Sequence, residues 1–388
     1  MTTWVLRTVR GVFLVALVFA VVTSAGYLLS SARRAPNAAG RSAASVSQST
    51  DANLAARQTT VVQSDHLSAN PVPTVKATAP AGSPEILRVA APAASGAAPA
   101  ASAGKYVRTE IAKLAYGTGA ANVGLLTGPN QRPVGPSSFA VDGQGSIYVS
   151  DNVNGRVQVY SAQGNHLRSF KVDSSVYDLA TDQSSDLYLL GTDGSLVVQD
   201  TATGRVKAKG AIARPLAREL GSLRVENGQV SLKSPEQVAY PLTLSQPQGV
   251  SLVSSADQQK GQSKGWPAPS QAHYTTSYRD GGHVYRVDAS GKIVQDISLG
   301  LPDVQTVMFL QEDRTGNIYV QVERVSADGQ VHVEVRELGK KGGLLAVVPI
   351  DRADYLPLTR STIVTADGTI YQLVPSAQGI TLVKYARS

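Results

Sequence analysis

The chain has 388 residues, of which 42% are hydrophobic and 17% are charged, a composition that excludes disorder over its whole length. It contains no cysteine, which excludes disulfides, thiolate metal ligands and cysteine nucleophiles. The net charge is +7, but residues 1–104 hold eight basic and three acidic residues, so residues 105–388 carry only +2. A nearly neutral domain lacks the positive field needed to bind a phosphate backbone, and we expect no nucleic-acid partner.

The first predicted element is a transmembrane helix over residues 11–29, which follows a short basic N-terminus over residues 1–10. The segment has no charged residue and reads GVFLVALVFAVVTSAGYLL. As a helix it would be about 28 Å long, enough to cross the hydrocarbon core of a bilayer. The small residues before Ala25 are compatible with signal-peptide cleavage, but the apolar run continues beyond them. We therefore predict a retained signal-anchor, and a cleaved signal peptide is the alternative.

A linker is predicted over residues 30–104. Ala, Ser, Pro, Thr and Gln predominate there, and aromatic residues are almost absent. Such a segment cannot bury enough apolar surface to offset the entropy cost of ordering, so we predict that it is disordered. A flexible coil of ~75 residues has a root-mean-square reach of roughly 50 Å. An anchor followed by a long tether predicts that residues 105–388 form a domain outside the cytoplasm.

A repeated motif organises residues 105–388: an acidic turn, followed by an aliphatic residue and a tyrosine. The aspartates and tyrosines of its four copies are Asp142 and Tyr148, Asp182 and Tyr188, Asp313 and Tyr319, and Asp367 and Tyr371. Successive tyrosines are 40, 131 and 52 residues apart. Because a four-stranded propeller blade takes about 40–50 residues, the long interval contains two further blades. The sequence predicts an all-β, six-bladed β-propeller, and a seventh blade within residues 213–272 is the alternative.

The best copy of the repeat covers residues 135–170 and reads GPSSFAVDGQGSIYVSDNVNGRVQVYSAQGNHLRSF. Four short strands separated by turns are evident, and the segment resembles one blade of an NHL-repeat β-propeller. NHL-repeat propellers commonly bind partners through the loops at one end of the propeller, the end that carries the turn after the second strand of a blade. The resemblance implies the same binding end here. In this blade that turn contains Asp151, Asn152, Asn154 and Arg156, which we predict to be partner-binding residues.

The last blade is too short to be complete. Only 17 residues follow Tyr371, enough for a third strand but not for a fourth. An unclosed ring would leave an exposed strand edge, which invites aggregation. We therefore predict that residues 107–114 supply the outer strand of the last blade and close the ring.

No catalytic motif is evident in the chain. The five histidines do not recur at equivalent inner-strand positions, and the repeated aspartates are the residues that strand-to-strand turns favour. We therefore predict no catalytic residue, no cofactor and no metal site. Trp266 lies beside two prolines, and it is either an anchor for a partner or a residue packed on its own blade.

These observations favour a membrane-tethered, extracytoplasmic β-propeller with no enzymatic activity, which is monomeric and binds a protein or a cell-wall polymer. The alternative is a propeller enzyme of the lyase or lactonase type, with a divalent metal bound by carboxylates in the central channel. A third hypothesis is a sensor of small ligands.

Overall fold

The computed structural model describes six ranges of the chain: residues 87–89, 106–182, 186–212, 221–233, 238–242 and 263–388. No helix in these ranges is long and apolar enough to cross a membrane. The helix predicted over residues 11–29 lies outside the described residues. So does the predicted linker, apart from strand β1 (Leu87–Val89).

The described residues form six β-sheets, each the blade of a propeller. Strand β2 (Tyr106–Leu114) precedes the first blade along the chain. The first blade contains β3 (Phe139–Val141), β4 (Ile147–Asp151), β5 (Arg156–Tyr160) and β6 (His166–Lys171). The second contains β7 (Val176–Thr181), β8 (Asp186–Gly191), β9 (Ser195–Asp200) and β10 (Val206–Ala211).

The third blade contains β11 (Leu223–Glu226), β12 (Gln229–Lys233), β13 (Val238–Leu242) and β14 (Ser263–Lys264). The fourth contains β15 (Trp266–Pro267), β16 (His273–Ser277), β17 (His283–Val287) and β18 (Ile293–Ser298). The fifth contains β19 (Val304–Glu312), β20 (Ile318–Val325), β21 (Val331–Leu338) and β22 (Leu344–Pro349). The sixth contains β23 (Thr362–Val364), β24 (Ile370–Ser376), β25 (Gly379–Arg387) and β2.

The position of a strand within its blade determines how its residues are buried. All five residues of β4 are buried, because both faces of this second strand contact neighbouring blades. In β6, the outer strand of the same blade, buried and exposed positions nearly alternate. The core therefore consists of layers between blades. One layer joins the first and sixth blades and includes Phe139, Ile147 and Leu373.

The ring closes as the sequence predicts. Strand β2 pairs antiparallel with β25, from Tyr106 opposite Arg387 to Leu114 opposite Ile380. The closing strand also packs on the first blade at Gly164, where φ is +82° and an added Cβ would lie 2.0 Å from the carbonyl oxygen of Ile111. A side chain would clash with Ile111, so only glycine fits this turn. The closing strand therefore contacts both the sixth blade, to which it belongs, and the first blade.

The fold has six blades, and the seven-bladed alternative is wrong. The described part of residues 213–272 forms the third blade and the first strand of the fourth. The fourth blade differs from the others in carrying a fifth strand on its outer edge. This strand is β1, which pairs parallel to β18 with Leu87 opposite Gln295. Three residues of the predicted linker are therefore a strand.

Candidate functional site

The repeated aspartates stabilise the turns between the first two strands of a blade. Asp142 Oδ1 accepts hydrogen bonds from the backbone N–H groups of Gln144, at 2.9 Å, and Ser146, at 2.8 Å. Its Oδ2 accepts one from the Tyr148 hydroxyl at 3.0 Å. Burial raises the pKa of Tyr148 to about 12, so the phenol remains a donor at neutral pH. These contacts confirm that the aspartates are turn residues.

The same aspartate-to-tyrosine hydrogen bond occurs in two more blades. Tyr188 donates to Asp182 at 3.1 Å, and Tyr319 donates to Asp313 at 3.2 Å. In these three blades the tyrosine follows the aspartate by six residues, whereas Asp367 and Tyr371, in the fourth copy, are four residues apart. The repeated motif is a structural element of the blade.

Asp178 connects four blades beside the central channel. Its side chain is fully buried. Oδ2 accepts hydrogen bonds from the Leu223 N–H in the third blade and from Arg360 Nη2, just before the sixth blade, both at 2.7 Å. Oδ1 accepts one from the Ser138 hydroxyl, just before the first blade. This carboxylate is therefore occupied in holding the ring together.

A second ion pair borders the channel. Arg224 Nε donates to Glu226 Oε1 at 3.0 Å, and Arg224 Nη1 donates to the Leu310 carbonyl oxygen at 2.8 Å. The guanidinium carbon lies 5.3 Å from the ring centroid of Trp266 and 5.1 Å from that of Phe309. Together with residues from all six blades, these side chains line a cavity of about 870 Å³. Within the described ranges, no group of three or more histidines or carboxylates could hold a metal ion.

Trp266 is an internal residue. Only 5% of it is exposed, and it belongs to the core between the fourth and fifth blades. The alternative in which Trp266 packs on its own blade therefore describes its position. The indole is almost wholly covered, and it lines the cavity.

The four polar residues predicted after the second strand lie in one turn, as expected. Three of them form a network that faces inward. Asp151 is completely buried, and its Oδ1 accepts a hydrogen bond from the Gly124 N–H at 2.7 Å. Its Oδ2 accepts bonds from Asn154 Nδ2 and Arg156 Nε, both at 2.9 Å. Asp151 therefore positions its neighbours and has no surface of its own to offer a partner.

Arg156 and Asn154 connect this turn to a second loop, residues 117–135, which we call the blade 1 loop. Arg156 Nη2 donates to the carbonyl oxygens of Gly119, at 2.6 Å, and Asn122, at 2.7 Å. Asn154 Nδ2 donates to the carbonyl oxygen of Gly117 at 3.0 Å. Both side chains thus tie the backbone of the blade 1 loop to this turn through hydrogen bonds to its carbonyl oxygens.

Asn152, the fourth predicted residue, connects the turn to the second blade. Its Nδ2 donates to the Val176 carbonyl oxygen at 2.9 Å, and its Oδ1 accepts a bond from the Val176 N–H at 2.8 Å. The side chain therefore acts as a bridge between the first and second blades. All four predicted residues hold the loops of this face in a fixed arrangement.

The blade 1 loop presents an apolar pair to solvent. Gly124 approaches Val153 so closely that an added Cβ would lie 2.4 Å from the Val153 Cβ. Beyond Gly124, the backbones of Leu126 and Val134 exchange two hydrogen bonds, of 2.8 and 2.9 Å. Leu126 is 59% exposed and Val134 is 50% exposed. The polar network thus supports an apolar surface that the sequence does not predict, because nearly all of this loop precedes the repeat.

Comparison with known proteins identifies the repeat. Residues 134–160 match the NHL repeat, and no curated protein matches the chain. Three similar solved structures are a streptogramin B lyase, the virginiamycin B lyase of Staphylococcus aureus and BamB of Moraxella catarrhalis. Their identities to this chain are 10%, 12% and 12%, and their TM-scores are 0.40, 0.41 and 0.35. The alignments cover 73%, 73% and 72% of this chain and 98%, 100% and 100% of those chains. With its matched repeat and its six blades, the protein is an NHL-repeat-like β-propeller.

Proposed function

We propose that the protein is a membrane-tethered β-propeller, held outside the cytoplasm, that binds a protein partner through the blade 1 loop. The observation that carries the proposal is the pair of exposed apolar side chains, Leu126 and Val134, on a loop fixed by the Asp151 network. The tether rests on the sequence of residues 11–104, where an uncharged segment long enough to span a bilayer precedes a segment rich in Ala, Ser and Pro.

The fixed conformation of the loop favours binding. Ordering a flexible loop at an interface costs about 0.5–1.5 kcal/mol for each immobilised side chain, and a loop ordered in advance avoids much of that cost. Here, buried Asp151 and the guanidinium of Arg156 hold the backbone next to the apolar pair. An apolar contact surrounded by polar groups is the usual form of the energetic centre of a protein interface.

The charges beside the channel support binding over metal-dependent catalysis. Asp178 accepts a hydrogen bond from Arg360, and Glu226 accepts one from Arg224. Both oxygens of Asp178 are occupied by donors, so a divalent cation there would have to displace them, including the guanidinium of Arg360. Such a displacement is costly when the charges are buried.

We expect the double variant Leu126→Asp, Val134→Asp to lose partner binding. Two carboxylates in place of the apolar pair would have to be desolvated at the interface, so capture by the tagged full-length protein should fall by about tenfold or more. The measurement is quantitative capture from detergent-solubilised membranes, with the unsubstituted protein in parallel.

Leu167→Asp is the matched control, since Leu167 is a leucine on β6 that is 51% exposed. It should capture the same partner as the unsubstituted protein does. Thermal melts of all three proteins should coincide, because none of the substituted side chains is buried. Equal capture by the double variant and the control would contradict the proposal.

A further inference from the structure

Lys233 is an amine in the cavity wall that the proposed function does not use. It ends β12, is half-buried and lines the cavity at the central channel. Its Nζ lies 4.7 Å from the centroid of the Trp266 ring. Across the described part of the chain, no carboxylate forms an ion pair with it. It differs in this from two exposed lysines of the outer strand β10, Lys207 and Lys209, which pair with aspartates.

The surroundings of Lys233 favour the neutral amine. Arg224 lies against the same indole ring, and its partner Glu226 is already bound to the guanidinium. Burial, together with repulsion by Arg224, lowers the pKa of Lys233 to about 7. Since this pKa is lowered, the neutral form predominates above pH 7. At pH 7 a far larger fraction of this amine is therefore unprotonated than in an ordinary lysine, where the fraction is on the order of one in a thousand.

The cavity has room for a small molecule beside this amine. Strand β15, the innermost strand of the fourth blade, has only two residues, and Thr276 of the next strand reaches the cavity. The volume of about 870 Å³ is within the range of ligand sites in proteins. Apolar side chains line it near Lys233, including Trp266 and Phe309. A ligand with an aromatic or other apolar body fits these surroundings.

We propose that Lys233 is a nucleophile that captures a small apolar aldehyde or ketone in the central channel as a Schiff base. The nitrogen lone pair forms a bond to the carbonyl carbon, and the π electrons of the C=O bond move to the oxygen. The carbinolamine then loses that oxygen as water, with both protons coming from the amine nitrogen, and a C=N bond forms. Nothing is oxidised or reduced, and the carbonyl compound is the one co-reactant. An amine that is desolvated and next to another cation is the usual form of a Schiff-base lysine.

Reductive trapping tests the proposal on the full-length protein. Benzaldehyde, the probe, is added at pH 7 together with cyanoborohydride, which converts the imine into a stable benzylamine. Peptide mass mapping then gives the labelling rate of each lysine. Lys233 should be labelled about tenfold or more faster than exposed Lys171, because a far larger fraction of it is unprotonated. Its rate should level off above pH 7, whereas the rate at Lys171 continues to rise with pH.

Two variants make the test specific. Lys233→Gln should abolish the rapid labelling, and Lys171→Gln should leave it unchanged.

Trp266 and Trp4 are the only tryptophans of the chain. In a Trp4→Phe background, benzaldehyde should therefore change the fluorescence of Trp266, and the Lys233→Gln substitution should remove this change. Labelling of Lys233 at the rate of Lys171, or rapid labelling that survives Lys233→Gln, would overturn the proposal. Neither result bears on the blade 1 loop.

Discussion

Asp178→Ala should lower the free energy of unfolding by about 3–5 kcal/mol, the usual cost of removing one partner from a buried ion pair. The substitution leaves the guanidinium of Arg360 without its carboxylate and the N–H of Leu223 without its acceptor. Because these donors come from different blades, the loss weakens the ring itself. Urea unfolding followed by far-ultraviolet circular dichroism measures the change.

Asp173→Ala is the control for this experiment. Its carboxylate is 82% exposed and pairs with Lys209 at the surface, so the substitution should change stability by no more than about 0.5 kcal/mol. Similar losses in the two variants would show that Asp178 does not connect the blades as described.

Removal of the closing strand should open the propeller. A fragment that begins at residue 105 keeps β2, and we expect it to be folded and monomeric. A fragment that begins at residue 116 loses β2, including buried Leu114, and exposes the edge of β25. Loss of the Leu114 side chain alone would cost about 2–5 kcal/mol, and an exposed edge promotes aggregation.

Thermal melting and size-exclusion chromatography distinguish the two fragments. The longer fragment should elute as a monomer and melt cooperatively. The shorter one should aggregate or melt many degrees lower, since about 1 kcal/mol corresponds to roughly 2–4 °C in a domain of this size. A shorter fragment that remains monomeric with an unchanged melting temperature would contradict closure by β2.

Local chemistry made much of the fold predictable. The hydrogen bond between Tyr148 and Asp142 joins residues six positions apart in the chain. One short motif therefore indicates both the turn and the strand that follows it. The intervals between these motifs correspond to one blade length or to three, and from them the number of blades follows. The closing strand could be predicted by counting the residues after Tyr371. Too few remain for a fourth strand, and an incomplete last blade would leave an exposed strand edge.

The candidate sites were less predictable, because their contacts join residues far apart in the chain. The sequence predicts that the turn containing Asp151 binds a partner, but the residues that this turn contacts in the blade 1 loop lie about 30 residues earlier. Nothing local indicates that Asp151 faces inward or that Leu126 is exposed. Likewise, the low pKa of Lys233 arises from its burial and from Arg224, nine residues away across a strand pair. Such properties depend on side-chain packing between blades.

Site-specific photo-crosslinking tests the central claim most directly, because it reports what touches the blade 1 loop in intact cells. A photoreactive benzophenone amino acid replaces Leu126 in the full-length protein, and the same amino acid at Leu167 serves as the control. We predict one discrete crosslinked protein from position 126 and none from position 167. Adding Gly124→Ala, which forces the loop away from Val153, should strongly reduce that crosslink. Absence of a discrete product at position 126, or an equal product at position 167, would contradict the proposed function.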